Sequence, residues 1–514
     1  MNTAEKLNPS VPLFDLISGL VELPDSLPNE LNVTVTGMQI DSRLLTKGDL
    51  FLAYFGRNHD ARNYIDQAIE LGCVAVLAES GGEWEGFRVD RGVAIIAVDN
   101  LLAKISEIAD RFYSQPSMKL SVFGITGTNG KTSCSQFIAQ TLSELGYKCG
   151  VIGTLGYGVY GELKETQLTT PDAVFTQMAL AEMEANHIDP VAMEVSSVGL
   201  HQKRVEAVRF DIGIFTNLTR DHLDYHESIE AYAENKKKLF TKEGLRCAII
   251  NLDDPYALPI LNSIEKGVDI VTYSIRNPLA TVYAESLSLN RQGFEADIVT
   301  PAGTGRVSGK LIGYFNFSNL LATVATLIKY LPRKRDLDLA KLCECISKLK
   351  PVTGRMEIIG DSQEITALVD YAHTPDGLKS ALLALRDHFD SDIWCVFGCG
   401  GNRDKGKRPI MGEIAEQNAN RLIITDDNPR NEQGDEIVQH ILSGIRNPSD
   451  VKVIRDRAEA IDYAIQNAKA GDLVLVAGKG HERGQIIGDK ERPFDDVKVV
   501  EKAVMAQNAG ESKS

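Results

Sequence analysis

Nowhere does the sequence hold the roughly 18 consecutive apolar residues that a membrane-spanning helix needs, so no membrane insertion is expected. Its opening, MNTAEKLNPSVPLFDL, has no basic start followed by an apolar core, and so no secretory signal is expected either. Cysteine is sparse and scattered, with eight residues in 514, no CxxC pair, and only Cys343 and Cys345 close together. That spacing excludes a zinc or disulfide framework and fits reduced thiols in a cytoplasmic protein. Positive charge is also in deficit. The 55 Lys and Arg stand against 71 Asp and Glu, a net charge of -16. This argues against a nucleic-acid partner, because phosphate backbones demand basic surface. An acidic total still leaves room for a local basic pocket that takes a small anion. Internal repeats and low-complexity stretches are absent as well.

What is present is ordinary globular material, 43% hydrophobic and 25% charged, enough for packed cores, and the length suggests about three domains. Residues 1–115 mix short strands, Asp49–Tyr54 and Val74–Ala78, with a helical stretch near Tyr64–Leu71. The segment RFYSQPSMK, Arg111 to Lys119, carries Pro116 and reads as a linker. Residues 116–350 open with the strand KLSVFGIT, a glycine loop, and a helix from about Lys131 to Leu145. Strand-like runs follow at PVAMEVSS, DIGIFTNLT and CAIINLDD, and Ala280–Ile312 reads as short alternating strands, a hairpin insert. Residues 351–514 alternate again, from TALVDYA through DIWCVFGCGG, RLIITDDNPR and VKVIRD to DLVLVAGKG, each followed by helical or polar sequence. The pattern predicts an α/β protein of three domains. A small N-terminal α/β domain precedes a central P-loop-type mononucleotide-binding parallel sheet and a C-terminal Rossmann-like sheet. Polar and glycine-rich residues fall at the C-terminal ends of the strands, the edge where open α/β sheets bind ligands. The tail NAGESKS is expected to be disordered.

The stretch GITGTNGKTS, Gly124 to Ser133, looks like a phosphate loop but misses the usual Walker A spacing, because Ile125 stands where the early glycine belongs. Its context still suits a phosphate. A strand ends near Thr126, Gly127 and Gly130 let the backbone curl, and a helix N-terminus adds partial positive charge. Lys131 supplies a full charge, and Thr132 can place a hydroxyl on Mg²⁺. Phosphoryl transfer needs such an ion. Glu194, ending the strand VAMEV, and His222, in NLTRDHLDYH, form a plausible metal pair on the same edge; the alternative is ordinary loop hydrogen bonding. In SIEAYAENKKKLF, spacing makes a helix with Ile229, Tyr232, Leu239 and Phe240 available for burial, and Lys236, Lys237 and Lys238 on a solvated face. Farther on, TDDNPR and GNRDKGKRP put Asp427, Asn428, Arg430 and Arg403 after strands. Planar arginine forks suit carboxylates, while Asp427 or Glu482 can take an ammonium. The cluster suits a zwitterionic amino acid, or else is an exposed salt-bridge network.

Taken in order, GTNGKTS, MEVSS, FTNLTRDHLDYH, LIGYFNFSNLLA, PVTGRME, DYAHTPDGL, DNPR and AGKGHE resemble the Mur ligases of peptidoglycan synthesis, over about Asp41 to Asp496. In that family the shorter GxxGK[TS] is the ATP loop, which accounts for Ile125. The resemblance implies an ATP-dependent ligase, in the order uridine-nucleotide domain, ATP domain, amino-acid domain. ATP would lie on Gly127, Thr128, Asn129, Gly130, Lys131, Thr132 and Ser133, with Asn316, Arg355 and His373 nearby. UDP-N-acetylmuramoyl-L-Ala-D-Glu would lie on Ile40, Ser42, Arg57, Asn58 and His59, then on Thr169, Thr170, Ser196, Gln202 and Arg204. The resemblance makes Lys236 a CO₂-derived carbamate that helps hold a second Mg²⁺, beside Thr132, Glu194 and His222. DNPR implies meso-diaminopimelate as the incoming amine, held by Arg403, Asp427, Asn428, Pro429, Arg430, Gly478 and Glu482. The chain is expected to act as a monomer. Two departures stand out: Val198 replaces a His common after MEVSS, and Leu168 an Asn common before the Thr pair. The sequence leaves three alternatives open. These are a lysine-adding relative, a folylpolyglutamate synthase-like ligase, and a nucleotide-dependent switch that binds a protein.

Overall fold

The computed structural model describes residues 9–21, 31–56, 59–334, 336–361 and 365–511. Three principal sheets follow one another along the chain. The first has five strands: β1 (Gly37–Gln39), β2 (Asp49–Ala53), β3 (Ala75–Glu79), β4 (Phe87–Asp90) and β5 (Val93–Val98), in the order β1-β2-β3-β5-β4. All pairs are parallel except β4 with β5.

The central sheet has ten strands: β6 (Val122–Thr126), β7 (Gly150–Gly153), β8 (Gly156–Val159), β9 (Val191–Glu194), β10 (Ile212–Phe215), β11 (Cys247–Asn251), β12 (Asp269–Ser274), β13 (Val282–Asn290), β14 (Gly293–Thr300) and β15 (Gly303–Gly309). Their order is β8-β7-β9-β6-β10-β11-β12-β13-β14-β15. The first of them in sequence that feeds a helix, β6, therefore sits between β9 and β10, where the winding reverses. Every residue of β6 is buried, as a parallel strand covered on both faces requires. Each fully buried Val, Ile or Phe there contributes about 1.5–3 kcal/mol. Helix α1 (Lys131–Glu144) leaves its C-terminal end directly.

The third sheet holds β16 (Glu357–Asp361), β17 (Ile365–Asp370), β18 (Ile393–Phe397), β19 (Arg421–Ile424), β20 (Lys452–Val453) and β21 (Asp472–Ala477), ordered β16-β17-β21-β18-β19-β20. Here the last strand returns between β17 and β18, so a second crevice opens where β21, β18 and β19 end. A hairpin, β22 (Gly484–Ile487) with β23 (Lys490–Pro493), closes one side of that crevice.

Several expectations change in detail. The proposed linker begins inside a helix, Leu101–Phe112, and Pro116 starts a short 3₁₀ turn whose Ser117 is buried and accepts from Arg209 N. Residues 280–312 are not a separate insert. Their strands β13–β15 extend the central sheet, with β13 parallel to β12 and the rest antiparallel. The run VKVIRD supplies only the two-residue edge strand β20. The final helix, Asp496–Glu511, runs into the tail expected to lack structure. All eight cysteines are buried and free, spread over the three sheets and their helices. Among the described residues no helix is long and apolar enough to cross a membrane.

Candidate active site

The glycine loop closes the end of β6 against the end of β10. Gly127 approaches so near that a Cβ there would stand 1.9 Å from Thr216 Oγ1. Gly130 has φ 87°, and its Cβ would meet Asn319 Oδ1 at 2.4 Å. Thr216 Oγ1 donates to Asn129 O at 2.6 Å, and Asn129 N donates to Asn217 Oδ1 at 2.9 Å. Thr128 Oγ1 accepts from Thr219 N at 2.9 Å and lies 3.1 Å from Tyr232 OH. The loop is thus braced from β10 before any ligand arrives, which lowers the ordering entropy of binding. Lys131 folds back on it, donating from Nζ to Gly127 O and Thr128 O at 2.8 and 2.9 Å. Burial holds its ammonium below the ordinary range, against the pull of the Glu194 and Asp221 carboxylates. Ser133 is buried on the first turn of α1.

Glu194 ends β9 beside the loop. It accepts from Thr132 Oγ1 at 3.0 Å, from Thr154 N at 2.9 Å and from Thr154 Oγ1 at 3.0 Å. A Cβ on Gly153 would lie 2.2 Å from Glu194 Oε1, so β7 needs glycine to let the carboxylate in. Three neutral donors and, among the described residues, no cation in direct contact surround this buried carboxylate, an environment that suits a metal ion. The same edge gathers the residues of the second group. Thr169 Oγ1 is 3.0 Å from Thr154 Oγ1, and Thr170 Oγ1 donates to Glu194 O while accepting from Ser196 N, both at 2.9 Å. Arg204 donates to Thr170 O at 2.7 Å and to Gln202 Oε1. Ser196 caps a short helix through Gly199 N at 3.0 Å, and the Val198 side chain follows in that helix.

His222 and Lys236 approach from the other side. His222 has φ 53°, with Nε2 3.4 Å from Asp221 Oδ2. Desolvation by its surroundings lowers its pKa against the pull of Asp221, although the side chain is about half exposed. Asp221 itself is pushed up by burial, but His222, His373 and Lys407 bring it below its ordinary value. Lys236 is 1% exposed, which overturns the solvated-face reading that spacing gave. Its Nζ donates to Gly127 O at 2.7 Å and rests 4.4 Å from the Tyr232 ring centroid. Burial first, then the Lys131 charge, holds its amine far below the ordinary lysine range. Lys237 and Lys238 stay on the partly exposed side and pair with Glu234 and Asn235. No direct contact joins Glu194 to His222; both border the loop.

The third sheet reaches into this site. Arg355 donates to Thr132 Oγ1 at 3.3 Å while stacking 4.3 Å from the Tyr371 ring. Asn129 Nδ2 lies 3.5 Å from Asp376 Oδ2, and Arg220 pairs with Asp404 at 3.4 Å. His373 lies 2.8 Å from Tyr371 O through Nδ1, and its own carbonyl accepts from Lys407 Nζ at 2.8 Å. Burial, then Lys407, pushes its pKa down to about 4. Asn316 is buried at the start of the helix Tyr314–Tyr330 and donates to Ile312 O at 3.0 Å. It is Asn319, one turn on, that faces the loop.

At the second crevice, Asp427, Asn428 and Pro429 follow β19, Gly398–Arg403 follow β18, and Gly478–Glu482 follow β21. Asn428 Nδ2 donates to Glu482 Oε2 at 2.9 Å, and the fully buried Lys479 donates to Asn428 Oδ1 and Glu482 Oε2, both at 2.9 Å. Gly478 has φ 120°, and its Cβ would stand 2.8 Å from Asp427 Oδ2. Arg430 has φ 52° and donates to Gly401 O at 2.9 Å. Burial and the Arg403 charge lower its pKa, against Asp427 and Glu482. Two guanidinium groups and two carboxylates thus share one crevice. Beneath it Arg457 pairs with Asp496 at 2.7 Å, both fully buried.

In the first sheet Ser42 Oγ donates to Gln67 Oε1 at 3.2 Å, and Ile40 packs partly against the core. His59 follows the end of β2, while Arg57 and Asn58 lie outside the described residues. Tyr54, from the same sheet, feels the charges of Arg204 and Asp172, so the first domain borders the second group of residues. Thr154, Asp221, Asn319 and Lys479 carry no sequence motif of their own, and Tyr232 reads from sequence only as a residue for burial, which it is. The only signal of the first four is position at a strand end or on a loop-facing helix turn.

A braced phosphate loop, an acidic and imidazole shell beside it, and an ionic crevice on the next sheet define a multidomain nucleotide-dependent enzyme. Family models agree in register: "Mur ligase family, catalytic domain" matches residues 34–113, "Mur ligase middle domain" 125–327, and "Mur ligase, glutamate ligase domain" 354–480. The UDP-N-acetylmuramoyl-L-alanyl-D-glutamate--2,6-diaminopimelate ligase of Coxiella burnetii is 45% identical over 477 residues, 92% of this chain and 96% of the relative. A solved structure of a ligase with that same description aligns with TM-score 0.67 at 34% identity, covering 97% of this chain and 99% of the other. The MurF ligase from Thermotoga maritima in complex with ADP shares the fold, with TM-score 0.59 at 16% identity over 95% of this chain and 100% of the other. The chain belongs to the Mur ligase family.

Proposed function

We propose that this protein is an ATP-dependent ligase joining meso-2,6-diaminopimelate to the D-glutamate side-chain carboxylate of UDP-N-acetylmuramoyl-L-Ala-D-Glu. The product is the UDP-muramoyl tripeptide of peptidoglycan synthesis. The observation that supports the choice of amine is that Arg430 and Arg403 stand in one crevice with Asp427 and Glu482, their guanidinium groups donating to the backbone carbonyls of Gly401 and Asn402. An amino acid with a second carboxylate offers one anionic group to each guanidinium, while Asp427 remains for an ammonium and Glu482 is already bonded to Lys479. Lysine, with a single carboxylate, leaves one of the two guanidinium forks without an anionic partner.

The sugar-dipeptide lies along Thr169, Thr170, Ser196, Gln202 and Arg204, with its nucleotide end on Ile40, Ser42, Arg57, Asn58 and His59. Its D-glutamate carboxylate attacks the γ-phosphorus of ATP, the bond to the bridging oxygen breaks, and ADP leaves behind an acyl phosphate. The backbone amide N–H groups of Gly127–Ser133 hold the phosphates, and Lys131 turns from its own loop carbonyls onto them. Arg355, His373 and Asn316 border the nucleotide. Thr132, Glu194 and His222 would be the residues to hold Mg²⁺, which would supply charge neutralisation on the phosphoryl oxygens. Lys236, kept as a free amine by burial and Lys131, is the type of lysine that takes up CO₂: its nitrogen bonds carbon and releases a proton, leaving a carbamate oxygen donor for a second Mg²⁺. The amine of diaminopimelate then attacks the acyl carbon, and the tetrahedral adduct expels phosphate as the amide forms. Contacts of Arg355, Asp376 and Asp404 with the ATP side support closure of the third domain over the nucleotide. The cytoplasm, where ATP and the nucleotide-linked precursor are found, is the compartment this reading requires, and no partner beyond these small molecules is needed.

Phosphate release from ATP, measured with the UDP-muramoyl dipeptide and either diaminopimelate or lysine, tests the reading. Release with diaminopimelate and little with lysine is expected. Equal rates would point to a less selective ligase, and release without an amide product would point to a switch.

A further inference from the structure

The two loops that carry Arg403 and Arg430 are held by a pair that touches neither ligand site directly. Arg408, on the helix Lys407–Asn418, is completely buried. Its Nη1 and Nη2 each donate to Glu432 at 3.0 Å, one to each carboxylate oxygen, and Nη2 also reaches Gly400 O at 3.2 Å. His440 Nδ1 lies 2.9 Å from Nη1. Glu432 in turn accepts from Asn402 N at 2.5 Å, and Lys405 stands 3.4 Å away. Two further bonds stitch the loops together: Gly401 N to Asn428 O at 2.9 Å, and Asn431 N to Asn402 Oδ1 at 3.1 Å. Neither loop relaxes toward an ordinary backbone. Asn402, just before Arg403, has φ 53°, and Arg430 has φ 52°. Left-handed backbone in residues other than glycine persists only where the surroundings impose it. Arg430 is imposed on from both sides, since its N donates to Ile486 O at 3.0 Å and its O accepts from Gly488 N at 2.8 Å.

We propose that Arg408 and Glu432 are positioning residues that set the spacing and aim of the Arg403 and Arg430 forks, and so make the crevice select an amine with a second carboxylate. The inference rests on the diaminopimelate reading above and extends it to residues that never meet the substrate. A bidentate buried pair fixes a distance better than a single contact does, and a shift of a fork by one ångström is enough to lose a two-point grip on a carboxylate.

The test uses the full chain with Glu432→Gln, Arg408→Lys and Arg408→Met, beside Arg430→Ala as reference. Steady-state kinetics would give kcat and KM for diaminopimelate, ATP and the UDP-muramoyl dipeptide, with thermal unfolding of each variant. The expected result is a KM for diaminopimelate raised roughly tenfold in Glu432→Gln, with kcat within about twofold and the other two KM values unmoved. Arg408→Lys, which keeps charge but loses the fork, should fall between that and Arg408→Met. An unchanged KM for diaminopimelate, or all three KM values rising together with a lowered Tm, would overturn the proposal. If Arg408→Met does not fold, Glu432→Gln, which keeps shape, decides alone. Wild-type protein inactive with diaminopimelate would instead overturn the underlying reading, and the two failures are therefore distinct.

Discussion

Both crevices sit at the carboxyl ends of parallel strands where the winding reverses, yet they are built from different material. The loop at Gly127–Ser133 presents backbone, and the two lysines beside it, Lys131 and Lys236, are folded onto its own carbonyls. The crevice of the third sheet presents side chains, with Arg430, Arg403, Asp427 and Glu482 set by Lys479 and the Arg408–Glu432 pair. Backbone amides grip any phosphate in the right place and discriminate little. Side-chain forks at fixed spacing discriminate between amino acids. The difference assigns generality to the central sheet and selectivity to the third.

The sharpest way to break that division is Lys131→Ala. Loss of the charge beside the loop should lower kcat on the order of 10³-fold with either amine, while diaminopimelate binding, measured by calorimetry, stays in place. A selective effect on one amine would contradict the division. Arg430→Ala should do the converse. Its kcat/KM for diaminopimelate should fall roughly 100-fold, with ATP affinity unchanged and the small rate with lysine little altered; equal losses for both amines would remove the selectivity from Arg430. The smallest expected effect concerns acid. His226, buried 2.9 Å from Ser197 Oγ, has its pKa pushed down by burial, then by His222, from 6.5 to about 4. A depressed folded value means that the unfolded chain binds the extra proton first. The neutral ring therefore contributes fully above pH 6.5, and its contribution is lost as pH falls toward 4. The amount is on the order of 2 kcal/mol. Urea midpoints taken over that window should slope upward with pH, and His226→Gln should flatten the slope. A slope unchanged in His226→Gln would assign it to His373 or His481 in the third domain, whose pKa values burial lowers to about 4 and about 3.

Much of this was readable from local sequence. The strands β6, β9, β10, β11 and β21 are short apolar runs bounded by polar or glycine residues, and a helix begins where Lys131 predicts. Thr132 on the first turn of α1, Glu194 at the end of β9 and the Thr169–Thr170 pair in the loop before the helix Ala173–Ala185 meet at one sheet edge. Lys236 could not be read by spacing: three consecutive lysines point in three directions on a helix, and only the packing of that helix on the loop decides which is buried. Thr154, Lys479 and the Arg408–Glu432 pair act through partners from 3 to 51 residues away in sequence, brought together by strand order rather than periodicity. The strands after Ala280 were legible as strands, but their continuation of the main sheet depends on one short parallel contact between β12 and β13.

The eight enclosed thiols provide a clock for opening. Cys73 belongs to the first domain, Cys395 and Cys399 to the third, and the remainder to the central one. Because they are buried, an aromatic disulfide reagent should label each as its surroundings come apart, with Cys343, at the wall of a surface pocket, the first of the central group. Mass spectrometry of peptides after timed exposure would therefore record, domain by domain, which part of the molecule loosens first and whether nucleotide slows it.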